Sequence, residues 1–329
     1  MKIAAFYSDS PFASWTQSRG FAAVLRRMGH DVTEIPVPPG NKVTTSQLAK
    51  INKPINECEL AIVSGPEHLK DWINQFYPQW NSLKIPKVGW YHESFHARED
   101  YKLQYGNFES MFDSHFFPDK DDAEKYKGEW LPLGVDTEMF GWYGTYCPDC
   151  ERGDSSVRDI DAAFIGLMYP KRQRFFEELK PNLKDVKLRV ANGNILVHDF
   201  DGINVERSTD LLAETYRRIK VFVAFPSVCN VLVAKILESM ASGCYLVATE
   251  QPVELKSYAT YSNGKGCARE IKEALAVPSY RERVARAGVE EVNKNHRMEL
   301  RFEKIFQIVG AKSECVSSSQ EPVASLATT

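Results

Sequence analysis

The stretch VFVAFPSVCNVLVAKILESMASGCYLVATE, Val221 to Glu250, decides the fold. Val221 to Phe225 is a short β-branched and aromatic run ended by Pro226 and Ser227, the pattern of a buried strand. Val231 to Ala241 carries apolar side chains around its circumference and stops at Gly243, as does a helix packed between other layers. A second apolar run then reaches Glu250. Strand, helix and strand make a parallel βαβ unit, and open parallel sheets gather ligands outside the carboxyl ends of their strands. Pro226 to Asn230 occupies that position, so Ser227 and Asn230 are the leading site candidates and Glu238 is the one acid on the apolar helix.

On either side the alternation continues. Lys2 to Tyr7 reads as a strand, Phe12 to Met28 as a helix stopped by Gly29, and Asp31 to Val37 as a strand closed by Pro38-Pro39-Gly40, a Rossmann-like opening. The loop Ser8 to Ser18 has no G-x-G-x-x-G, so no dinucleotide is expected there; it offers Ser8, Asp9, Ser10, Trp15 and Gln17, and a capped helix entrance using Ser10 and Pro11 accounts for it equally well. Thr44 to Ile51 (helix), Leu60 to Ser64 (strand), Glu67 to Tyr77 (helix) and Pro86 to Tyr91 (strand) follow. At the carboxyl end of that last strand lies His92-Glu93-Ser94-Phe95-His96-Ala97-Arg98-Glu99-Asp100, the densest ionisable cluster of the first half. Either His92 or Glu93 is placed to serve as a base there. Met111 to Phe117 and Glu129 to Leu133 are the last strands of this half, around a short helix Asp119 to Tyr126.

The second half opens with Asp161 to Gly166, a strand running into a glycine, followed by Lys171, Arg172 and Arg174 at a helix start. A glycine allows close backbone approach, a helix N-terminus offers free amides, and basic side chains hold phosphate oxygens, so Gly166, Lys171 and Arg172 form a candidate diphosphate site. Val186 to Ala191 is a strand with its turn at Asn192-Gly193-Asn194, and Thr209 to Ile219 a helix. Glu250 to Leu255 starts a short helix, Tyr258 to Tyr261 an edge strand, Asn263-Gly264-Lys265-Gly266 a turn, and three helices close the fold: Glu270 to Ala276, Ser279 to Lys294, and His296 to Val309 with its stop at Gly310.

Ser227, Asn230, Glu238 and Ala241-Ser242-Gly243-Cys244 fall where nucleotide-sugar glycosyltransferases of the GT-B fold carry their donor motif, and the chain resembles that group, its CgeB-like members in particular. Leu131-Pro132-Leu133-Gly134-Val135-Asp136 with Phe140 is similar to the segment that ends the first domain of such enzymes. The large retaining group has two glutamates separated by seven residues; Glu238 matches the second, Asn230 replaces the first, and Val231 and Val233 stand where glycines are usual. The resemblance therefore leaves retaining and inverting transfer both open. It implies an α/β protein of two Rossmann-like parallel-sheet domains facing a cleft: an acceptor-side domain over 1–140, a linker with an insertion over 141–158, a nucleotide-sugar domain over 159–295, a helix over 296–311 crossing back to the first domain, and a disordered tail over 312–329. It further implies a nucleotide diphosphate sugar as donor, Glu238 on the ribose, Phe200 to Val205 framing the base, Asn230 on the sugar, and no cofactor or metal. The acceptor stays unspecified among glycan, lipid-linked sugar, protein, small molecule and nucleobase. A non-hydrolysing nucleotide-sugar epimerase and a non-catalytic sugar-nucleotide-binding protein share these features.

Composition agrees with a globular chain of this size: 329 residues, 43% hydrophobic, with 41 basic against 44 acidic residues and a formal charge of −3, which gives no global attraction for polyanions. No apolar run is long enough to span a membrane and the first residues form no signal-peptide core, so a cytoplasmic location is expected. The seven cysteines are scattered, as in a reduced chain. Cys147 and Cys150 form one CxxC pair, half of what a structural zinc site requires.

Overall fold

The structure, a computed structural model, describes residues 1–9, 14–37, 55–69, 80–95, 106, 108–142, 158–166, 168–191, 198–200, 203–205, 209–225, 231–249 and 255–310. Ser10, the helix over 44–51, most of that over 67–77, the cluster over 96–100, the CxxC pair, the turn at 192–194, the site turn with Ser227 and Asn230, the helix start at 250–254 and the tail over 312–329 lie outside these residues.

Strands β1 (Lys2–Ser8), β2 (Asp31–Val37), β3 (Leu60–Ser64), β4 (Lys87–Trp90), β5 (Ser114–Phe117) and β6 (Glu129–Trp130) form one parallel sheet in the order β2-β1-β3-β4-β5-β6. Ile3 to Tyr7 of β1 and Leu60 to Val63 of β3 are apolar and buried on both faces, as parallel strands covered by helices must be. Their common neighbour relation puts a change of winding direction between them, so the crevice of this sheet opens at Ser8 and Ser64.

The second sheet repeats the plan. β7 (Ile160–Ile165) and β8 (Leu188–Ala191) pair in parallel, and a short antiparallel hairpin, β9 (His198–Phe200) with β10 (Ile203–Val205), follows them. β11 (Ile219–Ala224), β12 (Tyr245–Ala248) and β13 (Ala259–Thr260) complete the order β13-β12-β11-β7-β8. Here the winding reverses between β7 and β11, which brings Gly166 and the end of β11 to one crevice.

Helix α1 covers Arg19–Arg27 only, preceded by a 3-10 turn at Trp15–Gln17. The single helix expected from residue 12 is broken because Trp15 folds back over Gly20, where a Cβ would lie 2.4 Å from the indole nitrogen. α2 (Lys120–Lys125) and α3 (Thr137–Phe140) are short, each N-capped by an aspartate, Asp119 and Asp136. In the second half come α4 (Pro170–Leu179), α5 (Thr209–Arg218) and α6 (Ala234–Ala241). α6 starts later than its apolar pattern suggests, since Val233 is extended and precedes the first turn. Its end follows the sequence: Gly243 takes φ 74°, its amide reaches Met240 and that of Cys244 reaches Ser239. α7 spans Gly264–Ala276, so the segment read as a turn is a helix start; the Asn263 side chain accepts from the Gly266 amide and overrides the two glycines.

α8 (Pro278–Asn295) leads into α9 (Met298–Ile308), which leaves its own sheet and enters the core of the first. Phe302 packs 5.3 Å from Phe21 and 5.9 Å from Trp90, ring centre to ring centre. Arg301 is buried and donates to the carbonyls of Pro132, Leu133 and Asn295, while Val135 and the chain ahead of α9 exchange backbone hydrogen bonds. The Gly134-Val135-Asp136 segment is thus the seam on which the crossing helix is sewn.

Candidate functional site: two facing crevices

β7 delivers Gly166 at φ 152°, and a Cβ there would sit 2.7 Å from the Lys235 ammonium and 3.7 Å from the Arg172 guanidinium. The Lys235 ammonium thus approaches the glycine closely and the Arg172 guanidinium lies at ordinary contact distance, around a backbone conformation that glycine takes without strain. Arg172 comes from the first turn of α4 and Lys235 from that of α6; the two flank the Phe164 ring at 5.3 and 5.1 Å. Arg172 also donates to the Phe225 carbonyl at the end of β11. Burial lowers the Arg172 pKa, and burial together with the neighbouring guanidinium pushes Lys235 down to about 7 against a partial pull from Glu238. Two crowded, desolvated cations at the carboxyl ends of two strands make a site that gains from an anion. Lys171 and Arg174 point to the exposed side of α4, so of the basic trio only Arg172 faces inward.

Glu238 lies one turn beyond Lys235 on α6 and is buried. Its Oε2 accepts from the Tyr216 hydroxyl at 3.4 Å, while Oε1 has no hydrogen-bond partner among the described residues. Burial raises the carboxyl to about 7, opposed by Tyr216 and Lys235. Lys235 went unseen in the sequence, where it stood as a lone lysine in an apolar helix. That isolation was itself a signal, because an apolar helix buries its charge only for a partner.

In the first crevice Asp9 follows β1, its amide on the Val37 carbonyl and its carboxylate 3.0 Å from Arg19. Ser8 is half-buried at the strand end. His92 leaves β4 buried, with its ring edge-on to Trp90 at 5.7 Å and Nε2 3.2 Å from the Ser64 hydroxyl, which lies 2.9 Å from the Gln17 carbonyl and donates to it. Burial holds the imidazole pKa well below its usual 6.5, so the ring is neutral. Glu67 was read only as a helix start, yet its buried Oε1 accepts from the amides of both His92 and Glu93, at 2.7 and 3.0 Å. The signal available was the Gly65-Pro66 step after an apolar strand: Gly65 takes φ 65° and turns the chain into a 3-10 turn over Pro66–His68.

Where the chain passes from β6 to β7, Asp136 is fully buried and accepts from the Trp15 indole, from Arg27 and from the amides of Glu138 and Met139. Among the described residues no group of three histidine, cysteine or acidic side chains is arranged to hold a metal ion, and no helix is long and apolar enough to cross a membrane.

Residues 171–307 match the sequence model of a family described as glycosyl transferase-like. That stretch holds Arg172, Lys235 and Glu238 and most of the second sheet. The whole chain has the GT-B fold: it superposes on an α-glucosyltransferase in complex with UDP and a 13-mer DNA containing an A:G mismatch with TM-score 0.70 at 14% identity, covering 94% of this chain and 100% of that one. Anabaena HepE in complex with UDP and glucose gives TM-score 0.58 at 10% identity over 95% and 100% of the two chains. Sucrose-phosphate synthase from Thermosynechococcus elongatus gives 0.59 at 13% identity over 94% and 98%. No curated protein sequence matches the chain.

Proposed function

We propose that this protein transfers a hexose from a uridine diphosphate sugar to an acceptor hydroxyl, with the diphosphate held by the Gly166 backbone, Arg172 and Lys235 and the ribose by Glu238. The observation that carries the reading is the pair of desolvated basic side chains, Arg172 and Lys235, gathered around Gly166 at the end of β7. A diphosphate would place its negative charge between them, and as the glycosidic C1–O bond breaks they stabilise the charge that gathers on the leaving phosphate. Two fixed cations perform the task a divalent ion performs elsewhere, so transfer proceeds without one. Glu238 offers a buried acceptor oxygen to a sugar hydroxyl. The choice of uridine and glucose follows the ligands of the superposing enzymes, and the DNA bound by one of them makes hydroxyl-bearing nucleobases the first acceptors to try beside glycans.

Thermal stabilisation by a panel of nucleotide sugars tests the donor half. A ligand at one hundred times its dissociation constant adds about 2.7 kcal/mol to stability, and UDP-glucose and UDP are expected to do so where adenosine and guanosine counterparts do not. Release of UDP that rises with an added acceptor marks a transferase. Interconversion of sugars without acceptor would mark an epimerase, and saturable binding without turnover a binding protein.

A further inference from the structure

Glu238 serves a ribose only if its carboxylate stands in one orientation, and the side chain that sets that orientation comes from another helix. We propose that Tyr216 is a positioning residue of the donor site: by holding one carboxylate oxygen of Glu238 it presents the other to the sugar hydroxyls, and so sets the preference for ribose over deoxyribose. This rests on the glycosyl-transfer reading above. Tyr216 lies near the end of α5 and is 1% exposed. Its ring stands edge-on to Phe222 of β11 at 5.4 Å and to Phe140 of α3 at 6.1 Å, and its backbone carbonyl accepts from Cys244 Sγ at 3.1 Å. The neighbouring Arg217 ties the same turn to the chain around α3, donating to the carbonyls of Met139 and Gly141. A ring fixed in this way does not follow the glutamate, so the carboxylate turns to the tyrosine.

The Tyr216 hydroxyl donates to Glu238 Oε2, and Oε1 is the oxygen with no hydrogen-bond partner among the described residues. Burial holds the Tyr216 pKa well above its ordinary value, so the hydroxyl keeps its proton and stays a donor. A donor facing a carboxyl favours the ionised form; here it works with the Lys235 charge against the burial that raises Glu238 to about 7. The contact is 3.4 Å long and closes as the carboxylate ionises, toward the ~2.5 to 2.7 Å of an O–H···O⁻ bond. One hydroxyl thus does two things: it fixes the plane of the carboxylate and it keeps the charge that makes Oε1 a strong acceptor. Phenylalanine at this position keeps the ring contacts with Phe222 and Phe140 and removes the hydroxyl alone.

The test titrates the full chain with UDP, 2′-deoxy-UDP and 3′-deoxy-UDP and reads the ratio of affinity for UDP to affinity for each deoxy analogue. The charged and titrating groups facing Glu238 are Tyr216 from α5 and Lys235 on its own helix, with Arg172 beyond Lys235. The two cations act on all three nucleotides alike, so their share cancels in the ratio. The wild type is expected to favour UDP over at least one analogue by about 10- to 150-fold at pH 8, the worth of a hydrogen bond to a charged group. In Tyr216→Phe the carboxyl loses its donor and titrates about one pH unit higher, so the ratio should fall about fivefold or more at pH 7 and recover part of the loss by pH 9. Adding Tyr216→Phe to Glu238→Gln should lower the ratio no further, because the two side chains act as one unit. A ratio in Tyr216→Phe equal to that of the wild type from pH 6 to 9 overturns the inference. So does an equal loss of affinity for UDP and both analogues, which would make the hydroxyl a support of the fold alone. A wild type that binds UDP and both analogues alike overturns it too, while leaving the diphosphate site standing. Absence of UDP binding overturns both readings together.

Discussion

Replacing Glu238 by glutamine separates a ligand-binding carboxylate from a structural one, because the two roles predict opposite changes in stability. The Glu238 carboxyl is held at about 7 against an ordinary 4.5, chiefly by burial. A folded-state pKa raised above the unfolded value means that the folded chain keeps the proton longer, so the wild type has its full stability below about 4.5 and loses part of it as the pH rises through 7. At about 1.4 kcal/mol per pH unit the ionised carboxylate destabilises the ligand-free fold by ~3 kcal/mol above pH 7. Glutamine does not titrate and removes that term. Glu238→Gln is therefore expected to melt with the wild type near pH 4.5 and above it at pH 8, by up to about 6 to 12 °C for a domain of this size. The same variant should lose affinity for UDP at pH 8, since a neutral amide is a weaker acceptor for ribose hydroxyls than a carboxylate. Melting curves and titration calorimetry on one preparation measure both. A variant that melts lower at pH 8 and binds UDP unchanged would show that Glu238 holds the fold through Tyr216 and has no part in the donor site.

Arg172→Ala should weaken UDP binding by roughly 10- to 150-fold, the equivalent of a charge-assisted hydrogen bond of about 1.5 to 3 kcal/mol. Lys235→Met should act in the same direction; unchanged affinity in both variants would move the phosphates elsewhere. Turnover should persist in excess chelator, and its loss with recovery on adding magnesium or manganese would replace the two cations by a metal in the account of the leaving group.

The fold was legible where burial speaks through composition. The runs of β1, β3, β7, β11 and β12 are apolar because both their faces are covered, and Gly243 marks the end of α6 because only glycine takes φ 74° without strain. What failed were local boundaries decided by single side chains. Asn263 converts a glycine-rich turn into a helix start, and Trp15 breaks a helix that its residues alone would continue. The nearness of Gly166 and Arg172 was legible, since a strand, a glycine and a basic helix start are adjacent in sequence. Lys235 was not, because it meets Gly166 only through the pairing of β7 with β11. Glu67 was hidden for a similar reason: it read as the start of a helix, and only the pairing of β3 with β4 sets it under the amides of His92 and Glu93.

The most direct measurement is a crystal structure of the protein with UDP. The account predicts the diphosphate between the Gly166 backbone and the side chains of Arg172 and Lys235, with a ribose hydroxyl within hydrogen-bond distance of Glu238 Oε1. UDP lodged in the first crevice, or bound in the second with Lys235 and Arg172 turned away from its phosphates, would contradict it.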